Sequence, residues 1–359
     1  MTALLRTHPL DVERVRERTD RVLSAFVADR GARFIDVVPT GQALIESVTT
    51  FLDGGKRLRP AFCYWGWRGA GGADDDRIIP AGAALELLHT FALIHDDIID
   101  RSDQRRGAPS VHRQHSDFHV RAGMHGNAED YGTAIALLLG DLCLGWFHDL
   151  LDECDLPAGR RQAARRLMST AFTELIAGQC LDVAEQGARG LSVERAARII
   201  RYKTAKYTIE RPLHLGAVLA GADAELLRVY SRYALPLGEA FQLRDDLLGA
   251  FGEPDITGKS DADDIRTGKP TMLLALTLDR ATPAHRTEIL RLLDAEDLAE
   301  PGIERIRTLM IDTGAAAAIE HRITAGADAA HQALTELRLQ APADETLRAL
   351  IDTVAYRAH

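Results

Sequence analysis

Apolar positions recur along this chain at intervals of three and four, the spacing that lays a stripe down one face of an α-helix. The pattern predicts helices over 11–30, 41–52, 60–70, 81–101, 132–152, 160–187, 192–208, 225–250, 270–280, 284–296, 302–313, 316–338 and 344–357. Several of these carry start signals. Asp11 stands where a cap for the first helix belongs, Pro80 at a first helical position, and Thr282-Pro283 reads as cap plus first residue. Alternating, strand-like runs are nearly absent, and no fixed-period repeat or low-complexity linker interrupts the series. The expected fold class is all-α, with residues 1–359 forming one domain of about a dozen helices.

Residues 102–131 break the pattern. They are polar and rich in Gly and His, and read as an irregular, solvated loop. His112, His115, His119 and His125 lie there, but no cysteine or ordered carboxylate joins them at zinc-ligand spacing.

Composition sharpens the picture. Alanine and leucine dominate and aromatics are only 6%, a balance that favours helices. The net charge of −10 argues against nucleic acid as a partner, and against a polybasic membrane patch. An anionic substrate would then need local cations to invert the field. Cys63, Cys143, Cys154 and Cys180 show no C-x-x-C spacing and read as free thiols in a reducing compartment. The N-terminal MTALLRTHPLDVERV lacks the apolar core of a signal peptide, and no run reaches the roughly 18 uncharged apolar residues of a membrane span. A cytoplasmic protein is expected.

The chemistry concentrates in two acid clusters. LELLHTFALIHDDIID (85–100) is an apolar helix ending in acid, and Asp96 and Asp100, four apart, share a face. Negative charge at a helix C-terminus opposes the dipole, so these carboxylates call for compensation, and hard divalent cations with oxygen ligands are the natural candidates. Asp97, rotated by about 100° from Asp96, either reaches a metal through water or caps and solvates the helix end. The bland alternative for all three is a solvated helix terminus. GEAFQLRDDLLGAFGE (238–253) repeats the arrangement with Asp245 and Asp246. Two such faces could wall one pocket in which magnesium bridges a diphosphate, because magnesium takes one or two carboxylates plus substrate phosphates. Basic islands alternate with the acids: Lys56, Arg57 and Arg59 in GGKRLRP, Arg105 and Arg106 in RRG, Lys203 and Lys206, then Lys259 and Lys269. Singly each would be an ordinary surface cation; together they suit phosphate binding.

Taken in order, GGKRLRP, LLHTFALIHDDIID, RRGAP, GDLCL, GQCLD, YKTAKYT, FQLRDDLLGAFGE, TGK and GKPT make the chain from about Arg30 onward resemble the trans-isoprenyl diphosphate synthases, the polyprenyl synthetase family. The resemblance implies a helical bundle around a deep central cavity and a magnesium-dependent prenyltransferase that joins isopentenyl diphosphate to an allylic diphosphate. By the same resemblance Lys56, Arg59, His89 and Arg106 match positions that bind isopentenyl diphosphate. Arg105, Lys203, Thr204, Gln242, Lys259 and Lys269 match those around the allylic diphosphate. Asp96, Asp100 and Asp245 match the principal magnesium ligands, with Asp97 beside them; three ions per site are implied, with Mn2+ able to substitute. Asp182 matches an acid near the allylic diphosphate, or is a helix-surface acid; His89 lines the pocket, or is a hydrogen-bonded core histidine.

Gly249 departs from the pattern, standing where many relatives have a third aspartate. One indirect metal contact is expected to be lost there. Small Ala92 and bulky Phe91, four and five residues before Asp96, resemble the chain-length positions of C20 synthases, so geranylgeranyl diphosphate is the expected product, with C15 and C25 as alternatives. A class I terpene cyclase would carry a different second acidic motif and no isopentenyl diphosphate site. A non-catalytic subunit of a heteromeric synthase would tend to lose aspartates or the basic motif. The family's habit implies a homodimer.

Overall fold

The computed structural model describes residues 8–38, 40–105, 107–186, 191–252, 263–295, 298–337, 339 and 341–357. Among these the regular structure is helical apart from one two-residue antiparallel ladder, Gln104–Arg105 against Ala108–Pro109. It divides into two compact units. The first comprises residues up to Ala163 plus Leu215–Gly221, and the second Ala164–His214 plus Ala222 onward.

In the first unit, α1 (Val15–Val37), α2 (Gly41–Leu52), α3 (Leu58–Gly69), α4 (Ile79–Ile99), α5 (Val111–Arg121) and α6 (Ala128–Asp152) follow in order. The centre is α4, packed along α6 and against α1 and α3. It is apolar on nearly every face and is buried along most of its length. The second unit holds α7 (Ala158–Gln186) from Ala164 onward, α8 (Val193–Ile199), a π-helix (Ile200–Glu210), the start of α9 (Arg211–Ala220) and α10 (Ala224–Phe251). Then come α11 (Asp263–Arg266), α12 (Met272–Arg280), α13 (Pro283–Leu293), α14 (Glu300–Asp312), α15 (Ala315–Thr335) and α16 (Ala343–Ala355). Here α10 is the centre, packed against α15, α16 and the π-helix.

Three expectations need correction. Asp11 does not cap α1: it makes no side-chain cap bond, and Glu13 and Arg14 adopt left-handed backbone before the helix proper starts at Val15. The segment 102–131 is not one irregular loop, since it contains the ladder, α5 and the start of α6. Its inward positions are Val111, His115, Ser116 and His119, so a polar-looking stripe is in fact the packing face. His115 Nε2 lies 3.2 Å from Ser47 Oγ, and His119 Nε2 3.1 Å from the His125 carbonyl. Finally, Asp76–Ile99 and Ala128–Asp152 are long and apolar enough to cross a membrane by length and composition. They pass because a span tolerates an isolated charge; 72% of the first window is buried inside the protein, as a core helix requires. Thr282 does cap α13, accepting from His285 N with Pro283 in the first turn.

Candidate active site

The first unit carries the GGKRLRP and D-D-x-x-D motifs. Arg57, at the head of α3, is pulled inward: it is buried, with left-handed backbone, and donates to Asp20 at 2.6 Å, Glu86 at 2.8 Å and the Leu52 carbonyl at 2.7 Å. Its guanidinium is thereby committed to structure, anchoring α3 to α1 and α4. Of the three cations in this motif, Lys56 is left exposed and Arg59 half-buried, as a pair of phosphate-facing groups would be. His89 is half-buried on α4. A cavity of about 510 Å3 lies between α1 and α2, and Arg57 is the one GGKRLRP cation that lines it.

At the C-terminal end of α4 the three aspartates have different surroundings. Asp96 and Asp100 sit one turn apart, joined through the backbone by Asp100 N to Asp96 O at 2.8 Å, and both are half-buried. Asp97 is only 1% exposed, so it neither solvates nor caps the helix end. Its Oδ1 receives Arg105 Nε at 2.9 Å and a second bond from Nη2, while Arg105 Nη2 lies 3.9 Å from Asp96 Oδ2. Burial pushes the Asp97 carboxyl up, against the pull of Arg105. The short ladder thus returns an arginine onto the acidic helix end that needs it.

In the second unit the YKTAKYT motif forms the π-helix, whose wider i→i+5 turns are rare and collect at functional sites. Its neighbours approach it through glycines. A β-carbon on Gly178 of α7 would lie 2.6 Å from Lys203 N, and one on Gly238 of α10 would lie 2.5 Å from Ala205 Cα. Four residues beyond each glycine, on the same helical face, comes the partner side chain. Asp182 accepts from Lys203 Nζ at 2.6 Å, and Gln242 Oε1 accepts from Thr204 Oγ1 at 2.8 Å. Of the two readings of Asp182, the helix-surface one fails: it is buried and fixes the lysine. Lys206 is tied to Glu174, which also receives Arg211, so it serves the packing of α7 on the π-helix.

The second acid cluster divides as the first does. Asp245 is open to solvent over 41% of its side chain, and its Oδ1 meets Arg357 Nη2 at 2.5 Å. Arg357 lies near the end of the chain, its guanidinium carbon 3.7 Å from the centre of the Phe241 ring, and nothing in the sequence marked it. Asp246 is buried; Gln242 Nε2 donates to its Oδ1 and Met272 N to its Oδ2, both at 3.0 Å. Burial pushes its carboxyl up to about 7, helped by Asp264 and opposed by Gln242, Lys269 and Met272 N. Lys269 is half-buried, its Nζ 3.8 Å from Asp264 Oδ1. The expected Arg106 and Lys259 contacts lie outside the described residues.

The donor sets suit a hard divalent ion. All are carboxylate oxygens, and the one arginine bonded into each cluster offsets only part of its negative charge. Among the described residues no three such side chains form a cage on their own. Magnesium does not need one, because it keeps waters and shares its remaining positions with substrate phosphates.

The family model described as "Polyprenyl synthetase" matches residues 42–310. A geranylfarnesyl diphosphate synthase from Aeropyrum pernix is 33% identical over 309 residues, covering 85% of this chain and 91% of that protein. A (2E,6E)-farnesyl diphosphate synthase from Mycobacterium tuberculosis is 36% identical over 232 residues, 65% of this chain and 59% of that one. Among solved structures, a geranylgeranyl pyrophosphate synthase from Corynebacterium glutamicum, complexed with isoprenyl diphosphate and magnesium, superimposes with a TM-score of 0.91. It is 37% identical, and the match covers 96% of this chain and 98% of that one. The chain is a member of the polyprenyl synthetase family. Its activity is that of a trans-prenyltransferase.

Proposed function

We propose that this prenyltransferase condenses isopentenyl diphosphate with an allylic diphosphate to make geranylgeranyl diphosphate, the all-trans C20 product. The observation that carries the reading is the pairing on the π-helix. Lys203 is held by Asp182 as a phosphate-binding cation, and next to it Thr204 and Gln242 present fixed dipoles. Preorganised charge and dipoles of this kind stabilise the charge separation of an ionising allylic ester. Magnesium, three ions per site with Mn2+ as a substitute, would be held by Asp96, Asp100 and Asp245 and neutralise the departing diphosphate. Lys56, Arg59, His89 and Arg106 would hold isopentenyl diphosphate, whose double bond attacks the allylic carbon. Loss of a proton then leaves an allylic diphosphate one isoprene unit longer. For product length, the C20 reading rests on small Ala92 one turn before Asp96, and the relatives bracket it with C15 and C25 enzymes.

Exposed Leu138 on α6, with Val120 and Met124 on and after α5, supports a homodimer through this face. Four cysteines without a disulfide support a reducing, cytoplasmic setting.

The test is purified protein with labelled isopentenyl diphosphate and each allylic primer in turn, products sorted by chain length. Asp96→Ala and Asp245→Ala should each cost orders of magnitude in turnover. Arg59→Ala should raise KM for isopentenyl diphosphate, and Lys203→Ala should act on the allylic substrate and on kcat. Full turnover in excess chelator, or no elongation with any primer, would sink the reading.

A further inference from the structure

We infer that Asp246 is a positioning residue: it fixes which end of the Gln242 amide faces Thr204. The inference rests on the prenyltransferase reading, and its argument is geometric. Gly238, Gln242 and Asp246 follow one another at intervals of four on α10, so they line one face of that helix. The glycine admits the π-helix, the glutamine meets Thr204, and the aspartate lies behind the glutamine. A carboxamide has chemically opposite ends, an oxygen that accepts and an NH2 that donates. With no constraint, the Gln242 amide could present either end to Thr204.

Asp246 removes the choice. Its Oδ1 accepts from Gln242 Nε2 at 3.0 Å, so the NH2 is turned away from Thr204 and Oε1 is turned towards it, at 2.8 Å from Thr204 Oγ1. The carboxylate cannot itself turn away. Its other oxygen accepts from Met272 N at 3.0 Å, at the start of α12, where the helix dipole also favours negative charge. With each oxygen holding one bond and 3% of the residue exposed, Asp246 is a buried acid held in place from two sides. Asp245, next to it, is the open one. The two aspartates of this pair therefore have separate tasks: Asp245 is available to a cation, while Asp246 sets the sign of the dipole at Gln242. An oxygen turned to the side where positive charge develops lowers that charge's energy; an NH2 there would raise it.

Asn at 246 is the discriminating substitution. Asn has one oxygen and one NH2, and both partners here are donors. Either Gln242 or Met272 N must then face a donor and lose its bond. The protein is labelled with 15N-glutamine, and the Gln242 side-chain resonance is identified by its loss in Gln242→Ala. In the wild type the two amide hydrogens should exchange slowly and show distinct, fixed shifts; in Asp246→Asn they should exchange fast or move. In kinetics, Asp246→Asn should lower kcat about tenfold to hundredfold, the range expected for one buried hydrogen bond to a charged group, with the Mg2+ requirement nearly unchanged. Asp245→Asn should instead raise the Mg2+ requirement, read also as weakened Mn2+ binding by electron paramagnetic resonance in the presence of inorganic diphosphate.

Two results would overturn the inference. One is an Asp246→Asn protein whose Gln242 resonance is unaltered. The other is an Asp246→Asn protein that loses Mn2+ binding as Asp245→Asn does, which would make Asp246 a ligand. If Asp246→Asn does not fold, the wild-type spectrum still decides, because rapidly exchanging Gln242 amide hydrogens would by themselves refute the contact. The spectra need no turnover. A wild type that fails to elongate any primer, with its Gln242 amide protected, would count against the prenyltransferase reading and leave the contact standing.

Discussion

A β-carbon added to Gly249 would lie 2.2 Å from Oδ2 of Asp264 and 2.9 Å from its Cγ. The missing third aspartate of the second cluster therefore leaves no gap. A carboxylate from α11 fills the space over Gly249, near enough to Asp246 to raise its pKa. The expected loss of an acid at this position is a relocation. Gly249→Ala should push the Asp264 carboxylate aside and destabilise the protein by about 1–3 kcal/mol, the usual range for overpacking a filled site. Adding Asp264→Ala to that variant should recover most of the loss. Urea midpoints of the four proteins measure the coupling, and strictly additive midpoints would show that Gly249 and Asp264 do not touch.

The ion pair between Arg357 and Asp245 bears on metal affinity. A guanidinium lies 2.5 Å from Oδ1 of Asp245, the carboxylate proposed above as a metal ligand, so the two cations would compete for it. Arg357→Ala should lower the Mg2+ concentration that gives half-maximal activity, by about threefold to tenfold for a partly exposed pair worth about 1 kcal/mol. A titration of rate against Mg2+ checks this. A higher requirement in the variant would mean that the arginine helps to assemble the metal site.

How far the sequence carried the argument depends on the kind of contact. The helical period and the ordered motifs were enough for the all-α class and the family. Helix α5 escaped because its inward stripe is His115, Ser116 and His119, which a hydropathy pattern scores as solvent-facing. The π-helix escaped because its apolar positions follow the same three-and-four rhythm as α8 before it. Its close neighbours, Gly178 and Gly238, lie on helices distant in sequence, which a local pattern does not register. Arg57 and Lys203 look alike as basic motif residues, and only their partners separate them: Arg57 ties α3 to α1 and α4, while Lys203 is held by Asp182. Arg357 meets an aspartate more than a hundred residues earlier, a pairing that no local pattern encodes.

His214 makes stability depend on pH. It is 5% exposed, its Nε2 lies 2.9 Å from the Leu227 carbonyl, and its Nδ1 faces Arg211 Nη1 at 3.4 Å. The neutral ring satisfies both contacts, donating from Nε2 and accepting at Nδ1; a second proton would point at a guanidinium. Burial therefore holds its pKa below the ordinary histidine value, with Glu210 opposing. Buried His115 is shifted down in the same direction. In the unfolded chain these rings gain a proton as pH falls through about 6.5, while the folded protein binds fewer. The unfolded state then holds more protons, so stability rises with pH across this range and falls on acidification. Asp246, whose carboxyl is pushed up to about 7, acts in the opposite sense, so the histidine contribution is the difference between wild type and His214→Asn: in denaturation midpoints between about pH 5 and 7.5 the wild type should gain on the variant as pH rises. An equal slope in the variant would assign the effect to other groups.

Product length is the sharpest test of the first unit's interior. Phe91 is buried, with its ring centroid 4.6 Å from that of His95. His95 Nε2 lies 3.2 Å from the Leu137 carbonyl of α6, and a β-carbon on Gly140 would strike the same imidazole at 2.3 Å. His95 is therefore a wedge between α4 and α6, with Phe91 packed edge-on against its ring. Ala92, by contrast, lies one turn before Asp96 on the acid's own line, and Leu88, 1% exposed, one turn further back on that line. On the proposed reading, a prenyl tail growing from Asp96 along α4 would pass the small Ala92 before it reaches the level of Phe91. Phe91→Ala should shift the main product from C20 to C25 and longer, at a stability cost of about 3–5 kcal/mol for an aromatic removed from a core. Leu88→Ala is the control, since it opens the line beneath Ala92 without touching the wedge. Chain length, read by chromatography of the dephosphorylated products, should respond more to Phe91→Ala than to Leu88→Ala. A folded, active Phe91→Ala enzyme that still stops at C20, beside a Leu88→Ala enzyme that runs longer, would place the floor on the line of Asp96.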